Sequence, residues 1–254
     1  MSKHWLSAIA AIALVLAGAH SARAQDEVTL IGPNIMRGPV EQIIQGYEAK
    51  TGHKVKATFG AEVGTRQQII RGEADVPLVE APDADVIASN GVVASSETAL
   101  ANISVGFAVR KGAPKPDIST PEALKRALLS AKSITYPDAS AGAAAGVIVN
   151  DALKKLGIFE QLQPKIKPAQ GGARAMALVA SGDVEIGMTL LPGMTDAGID
   201  IVGTLPREVS PPTVVMGFVS SHAKDPAAAK DLLTYLTSPE AAAIYKAQKM
   251  APGR

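Results

Sequence analysis

Between residues 28 and 71 the sequence VTLIGPNIMRGPVEQIIQGYEAKTGHKVKATFGAEVGTRQQIIR sets down the same unit twice: an apolar strand, a glycine-containing polar turn and an amphipathic helix. The first unit reads as a strand over 28–31, a turn over 32–38 and a helix from Pro39. The second reads as a strand over 54–59, a turn over 60–65 and a short helix stopped by Gly72. In the first helix Val40, Ile43, Ile44 and Tyr47 recur at helical spacing, and Gly52 is the stop. Val55, Ala57 and Phe59 alternate with Lys54, Lys56 and Thr58, one face in and one out. Strands that alternate with helices bury their apolar faces only in an α/β sheet. Ligands of such sheets sit at the carboxyl ends of the strands. There the helix starts present unpaired N–H groups and a positive dipole end, which favours a small anion.

A third strand is predicted over 74–81, with Pro77 pointing to a sheet edge or a short strand, and a short helix over 83–90. An apolar run follows over 103–109. The Gly- and Pro-rich residues 111–116 then mark a boundary, and a second series begins. Thr120 and Pro121 cap a helix; 133–136 is a strand; 137–142 is a loop opening on a helix that reaches Leu156. Residues 165–168 form a strand, Gly171-Gly172 a turn, 173–180 a helix and 184–190 a strand. A late strand at 213–219 precedes two terminal helices, 226–236 and 239–249, the second capped by Ser238. At 254 residues the chain suffices for one large domain or two small lobes.

The first 24 residues are expected to be removed. Lys3 supplies a basic start, 5–19 an apolar stretch and Ala22-Arg23-Ala24 a small-x-small site, so cleavage falls before Gln25. The apolar run is short for a membrane anchor. With no cysteine, both disulfides and lipid attachment through cysteine are excluded. The mature chain keeps 23 basic and 24 acidic side chains, a net charge of −1. No basic stripe with interleaved aromatics exists for nucleic acid.

Four segments, YEAKTGHKV, RQQIIRGEADV, SGDVEIGM and KDLLTYLTSPEAAAIYKAQKM, follow one another in an order that resembles the periplasmic solute-binding proteins of ABC importers. The molybdate-binding family of the type II fold is the best match. The resemblance implies an α/β, two-lobed type II periplasmic-binding-protein fold. Each lobe would be a mostly parallel sheet flanked by helices, and a two-strand hinge would join them. Lobe 1 is expected over 25–106 plus 216–254 and lobe 2 over 107–215. A soluble periplasmic monomer is implied, closing on a small anionic ligand and delivering it to an inner-membrane ABC permease.

The family holds tetrahedral oxyanions with serine hydroxyls, backbone amides and in some members a tyrosine. Carried onto this chain, the first-loop serine falls on Asn34 and the second-loop serines on Glu62 and Val63. The third-loop alanine or its neighbour falls on Ala145, the position after the turn on Ala173 and the tyrosine near Leu190. Every expected hydroxyl is therefore replaced. Arginines stand nearby instead: Arg37 in the first loop, Arg66 at the start of the second helix and Arg174 opening the helix after Gly171-Gly172. A guanidinium fork suits carboxylates, so an organic di- or tricarboxylate is favoured over molybdate or tungstate. The arginines can equally pair with Glu41, Glu62 or Asp138. The candidate site is completed by Ile35, Gly64, Thr65, Ser140 and Gly172. Ser140 is read as a donor or an N-cap.

Only His53 and His222 remain in the mature chain, without metal-ligand spacing, and no metal or cofactor is expected. No G-x-S-x-G elbow, Walker A or G-x-G-x-x-G motif is present. The reading is a non-enzyme. Two alternatives stay open: an exported enzyme on the same scaffold acting on a carboxylated substrate, and a sensor component.

Overall fold

The structure, a computed structural model, describes residues 27–81 and 84–253. The predicted signal peptide and Asp83 lie outside them. The first repeat forms β1 (Val28–Pro33), α1 (Arg37–Thr51), β2 (Val55–Gly60) and α2 (Glu62–Ile70), followed by β3 (Val76–Ala81) and α3 (Ala84–Ala88). A 3-10 turn, Asn34–Met36, leads into α1, which starts two residues ahead of the expected Pro39. Proline at the third helical position removes only an N–H that has no partner within the helix. The second polar turn likewise shrinks, because α2 opens at Glu62.

The apolar run at 103–109 is not one strand. β4 (Thr98–Ile103) ends and β5 (Val105–Arg110) begins around Ser104, and the two belong to different sheets. The remaining elements are α4 (Pro121–Ser130), β6 (Ile134–Thr135), α5 (Ala144–Lys155), α6 (Phe159–Leu162), α7 (Gly172–Ser181), β7 (Ile186–Leu190), β8 (Ile199–Thr204), β9 (Thr213–Gly217), α8 (Pro226–Tyr235), α9 (Pro239–Ala247) and β10 (Ala251–Pro252). Residues 165–168 add no strand. They contribute isolated bridges, Ile166 to Ile134 and Ala169 to Pro137, since Pro164 and Pro168 lack the N–H groups a ladder needs.

One sheet has the order β10-β4-β9-β3-β1-β2 and the other β6-β7-β5-β8. Both are mixed, not mostly parallel. The parallel pairs are β1 with β2, β1 with β3, and β6 with β7. Each joins strands connected through helices, as parallel crossovers require. β5 and β9 arrive without an intervening helix and pair antiparallel with their neighbours, and β10, which follows α9, also pairs antiparallel, with β4. Pro77 does not mark an edge, for β3 is interior. Its pairing with β1 stops at Ile31↔Pro77, and its antiparallel pairing with β9 begins at Leu78↔Gly217. The proline thus sits where the strand changes partner.

Local codes set the helix ends. Gly52 and Gly182 stop α1 and α7 in the left-handed region. Thr120, Asp225 and Ser238 cap α4, α8 and α9, each ahead of a proline in the first turn. Asp225 accepts from the N–H groups of both Ala227 and Ala228, at 3.0 Å. Asp225→Ala is expected to lower the unfolding free energy by about 1 kcal/mol in a urea titration. α8 packs on β3, and α9 on α1 and β10. The main core runs without a break from Leu30 and Tyr47 through Ile103 and Val105 to Leu128 and Val149.

Candidate functional site at the carboxyl edges of the two sheets

In the first sheet Pro33 pairs with Gly60, so the chain leaves β1 and β2 for α1 and α2 from neighbouring points. In the second, β6 lies parallel to β7, with Thr135 opposite Gly187, and Pro137 bridges to Ala169. The turns that open α5 and α7 therefore share that edge. The two edges meet at the chain crossing. β4 ends with Ile103 opposite Thr213, beside the end of β3, and β5 starts with Val105 opposite Leu190, the end of β7. Helix starts from both sheets thus open at carboxyl ends joined through Ser104. Closely placed N–H groups and dipole ends make such edges suited to an anion.

Asn34 is exposed, Ile35 packs on the core, and Arg37 is the first residue of α1. The Arg37 guanidinium lies 5.2 Å from the centroid of the Phe59 ring and donates to the Phe59 carbonyl at 3.2 Å. It also meets Glu41 at 3.5 Å, one of the pairings anticipated for it, and remains half exposed. Two of its five N–H donors are used, and the rest stay available at the edge. Glu62, Val63 and Gly64 form the first turn of α2. Thr65 is buried and donates to the Ala61 carbonyl at 3.2 Å; Arg66 is half-buried on the same helix.

On the second sheet's edge Ser140 does not open α5. It sits in a 3-10 turn, Ala139–Ala141, and α5 starts at Ala144 after the left-handed Gly142. The Ser140 hydroxyl and N–H both donate to Asp138 Oδ1, at 2.7 and 2.9 Å. These bonds hold the Asp138 carboxyl below the usual carboxylate range. Ala145 is buried in the first turn of α5. Gly172 opens α7, with Ala173 and Arg174 exposed behind it, and Leu190 is buried at the end of β7. Of the arginines expected to grip a ligand, Arg37 and Arg174 lie in the first turns of α1 and α7, whereas Arg66, expected at the start of its helix, lies mid-helix because α2 opens earlier, at Glu62.

The close packing at Gly172, and the residues Thr189, Gly146, Tyr136 and Asn150 of this edge, escape sequence reasoning. A Cβ on Gly172 would lie 2.6 Å from Thr189 Oγ1, which fixes how near α7 approaches β7. Gly146, in the first turn of α5, packs directly on the loop backbone at Pro137 and Ala139. Tyr136 is buried and donates to Asn150 Oδ1 at 2.8 Å. Burial, and then the Asp138 charge, push its phenol up to about 12. The one signal available for these was the glycine inside a run of alanines at 143–146. Among the described residues no group of three or more His, Cys, Asp or Glu could hold a metal.

Known proteins share this architecture. A putative molybdenum ABC transporter substrate-binding domain from Clostridium difficile superposes with a TM-score of 0.77 at 17% identity, over 89% of this chain and 98% of that one. The periplasmic molybdate-binding protein of Azotobacter vinelandii gives 0.64 at 21% identity, over 89% and 99%. In sequence, the chain is 32% identical to an aconitate isomerase from a Pseudomonas species, over 97% of each. It is 25% identical to the molybdate-binding protein ModA of Escherichia coli K12, again over 97% of each. The pattern that defines the bacterial extracellular solute-binding proteins matches residues 28–249. With that match and the fold in agreement, the chain belongs to the bacterial extracellular solute-binding protein family, as a ModA-like member.

Proposed function

We propose that the chain, cleaved before Gln25, works in the periplasm as a monomer that closes two lobes on a small organic polycarboxylate. The lobes are 25–106 with 216–254, and 107–215, and the partner is an inner-membrane ABC permease. The observation that carries the ligand class is the placement of Arg37 and Arg174 in the first turns of α1 and α7, with Arg66 one turn further along α2. Asn34, Glu62, Val63 and Leu190 occupy the positions where the oxyanion binders it resembles place serine or tyrosine hydroxyls. Fixed guanidinium forks in a site closed to water hold carboxylates strongly. The relative named for aconitate, a tricarboxylate, supports the same class.

Calorimetry with trans-aconitate, cis-aconitate and citrate against molybdate, tungstate and sulfate tests this. Tight molybdate binding with indifference to all three acids would overturn the ligand class. Arg37→Ala is expected to weaken the bound acid by about 2 kcal/mol, roughly thirtyfold, while its half-exposed position leaves the thermal midpoint in place. An unchanged affinity removes Arg37 from the site.

A second reading, an exported isomerase, is favoured by the same relative's name. Proton NMR of either aconitate isomer incubated with the protein separates the two. Conversion over many turnovers supports the isomerase; stoichiometric binding without conversion supports the receptor. The second-lobe edge favours the receptor. Tyr136 is a buried phenol pushed up to about 12 and donates to Asn150, so it is no base near neutrality.

A further inference from the structure

Several helices of this chain stop at a glycine, and one stops at a lysine. Gly52, Gly157 and Gly182 take the left-handed conformation at the ends of α1, α5 and α7. At the end of α9 the same conformation, with φ of 60°, is held by Lys249. The wrapping bonds are those of an ordinary helix stop: Met250 N–H donates to the Tyr245 carbonyl at 2.9 Å and Lys249 N–H to Lys246 at 3.0 Å. Glycine meets no steric penalty there, and lysine does. The lysine side chain reaches across to the second sheet's connection and donates to the Met194 carbonyl.

Beside it lies a cavity of about 730 Å³, open to solvent, whose walls come from both sides of the chain crossing. Asn102 and the C-terminal residues Lys246 and Lys249 belong to the first sheet's body. Leu191 follows β7, Thr204 ends β8, and Ser104 is the crossing residue itself. Two ammonium groups line it and no carboxylate does. Lys246 has no ion-pair partner among the described residues, and Lys249 meets only a neutral carbonyl. Asn102 Nδ2 is tied to the Pro252 carbonyl at 3.2 Å, which sets the cavity's floor.

We propose that this cavity binds a small doubly charged oxyanion, drawn by Lys246 and Lys249 and completed by the hydroxyl-bearing Ser104 and Thr204. An anion seated there touches both bodies where they join, so it favours the arrangement in which those groups converge. Its binding is thereby linked to lobe movement. None of the residues read as the main anion site lines this cavity, so the proposal does not rest on the ligand assigned there.

Sulfate titrated by calorimetry into the full mature chain, in a buffer without other oxyanions, tests the proposal. Arg37→Ala should retain one sulfate. Lys246→Gln combined with Lys249→Gly should lose it, with affinity down at least about tenfold. Glycine suits the backbone at position 249, so the thermal midpoint of the double variant should not fall. Sulfate binding of equal strength in wild type and the double variant overturns the site, as does its disappearance in Arg37→Ala alone. A failure of the polycarboxylate reading would appear instead in the organic-acid titrations and leave the lysine-dependent sulfate in place.

Discussion

Gly146→Ala is expected to lower the unfolding free energy by about 3 kcal/mol, the upper end of what overpacking costs, and to abolish ligand capture. Helix propensity taken alone predicts the reverse, since alanine is better than glycine inside a helix by about 1 kcal/mol. The contact decides the sign. A Cβ at this position would stand 2.1 Å from the Pro137 carbonyl oxygen and 2.7 Å from the Ala139 amide nitrogen. Both are backbone atoms, so no side-chain rotation relieves the collision. Either α5 lifts from the loop or the loop moves, and that loop carries Asp138 and Ser140 at the second sheet's carboxyl edge. Urea denaturation and calorimetry with the bound acid measure the two effects together. A stability gain near the propensity value would show that α5 does not sit against this loop as described.

Asp75→Ala should destabilise the fold by about 4 kcal/mol without touching the helix starts. Asp75 is buried, 5% exposed, and its carboxylate gathers three donors from distant segments. Thr29 gives its N–H at 2.8 Å and its hydroxyl at 2.6 Å, and Lys224 gives its N–H at 2.9 Å. The network ties the start of β1 to the approach to β3, and both to the segment that leads into α8. Deleting the carboxylate leaves those donors in the interior unsatisfied, at about 1–3 kcal/mol each before relaxation. Asp75→Asn keeps an acceptor and should cost roughly half as much. Chemical denaturation of the pair reads the difference. Equal, small losses for both would mean that water reaches the site and replaces the carboxylate.

These two effects also mark the limit of what was legible beforehand. Thr120 and Ser238 as caps, Gly52 and Gly182 as stops, and the apolar stripe Val40–Ile43–Ile44–Tyr47 could all be read from neighbouring residues. Each acts within one or two helical turns. The α/β class followed from the same signals, and so did the helix starts at strand ends on which the candidate site is built. Pro77 misled because proline's missing N–H says that a ladder is interrupted, not on which side. In the structure the interruption falls between two partners of an interior strand.

What the sequence by itself determined was therefore local: where helices begin and end, which faces are apolar, and that glycine-bearing turns lead into helices. The tertiary structure alone decided the sense of β5, β9 and β10, the change of sheet at Ser104, the close approach of Gly146 and Gly172 to their neighbours, and the gathering of Thr29 and Lys224 on Asp75. The close approach of Gly146 to Pro137 and Ala139 depends on how α5 packs back on its own loop, but most of those outcomes depend on segments far apart in the chain. Their meeting is set by how strands thread between one another and by which buried groups find partners, and no short stretch of residues encodes either.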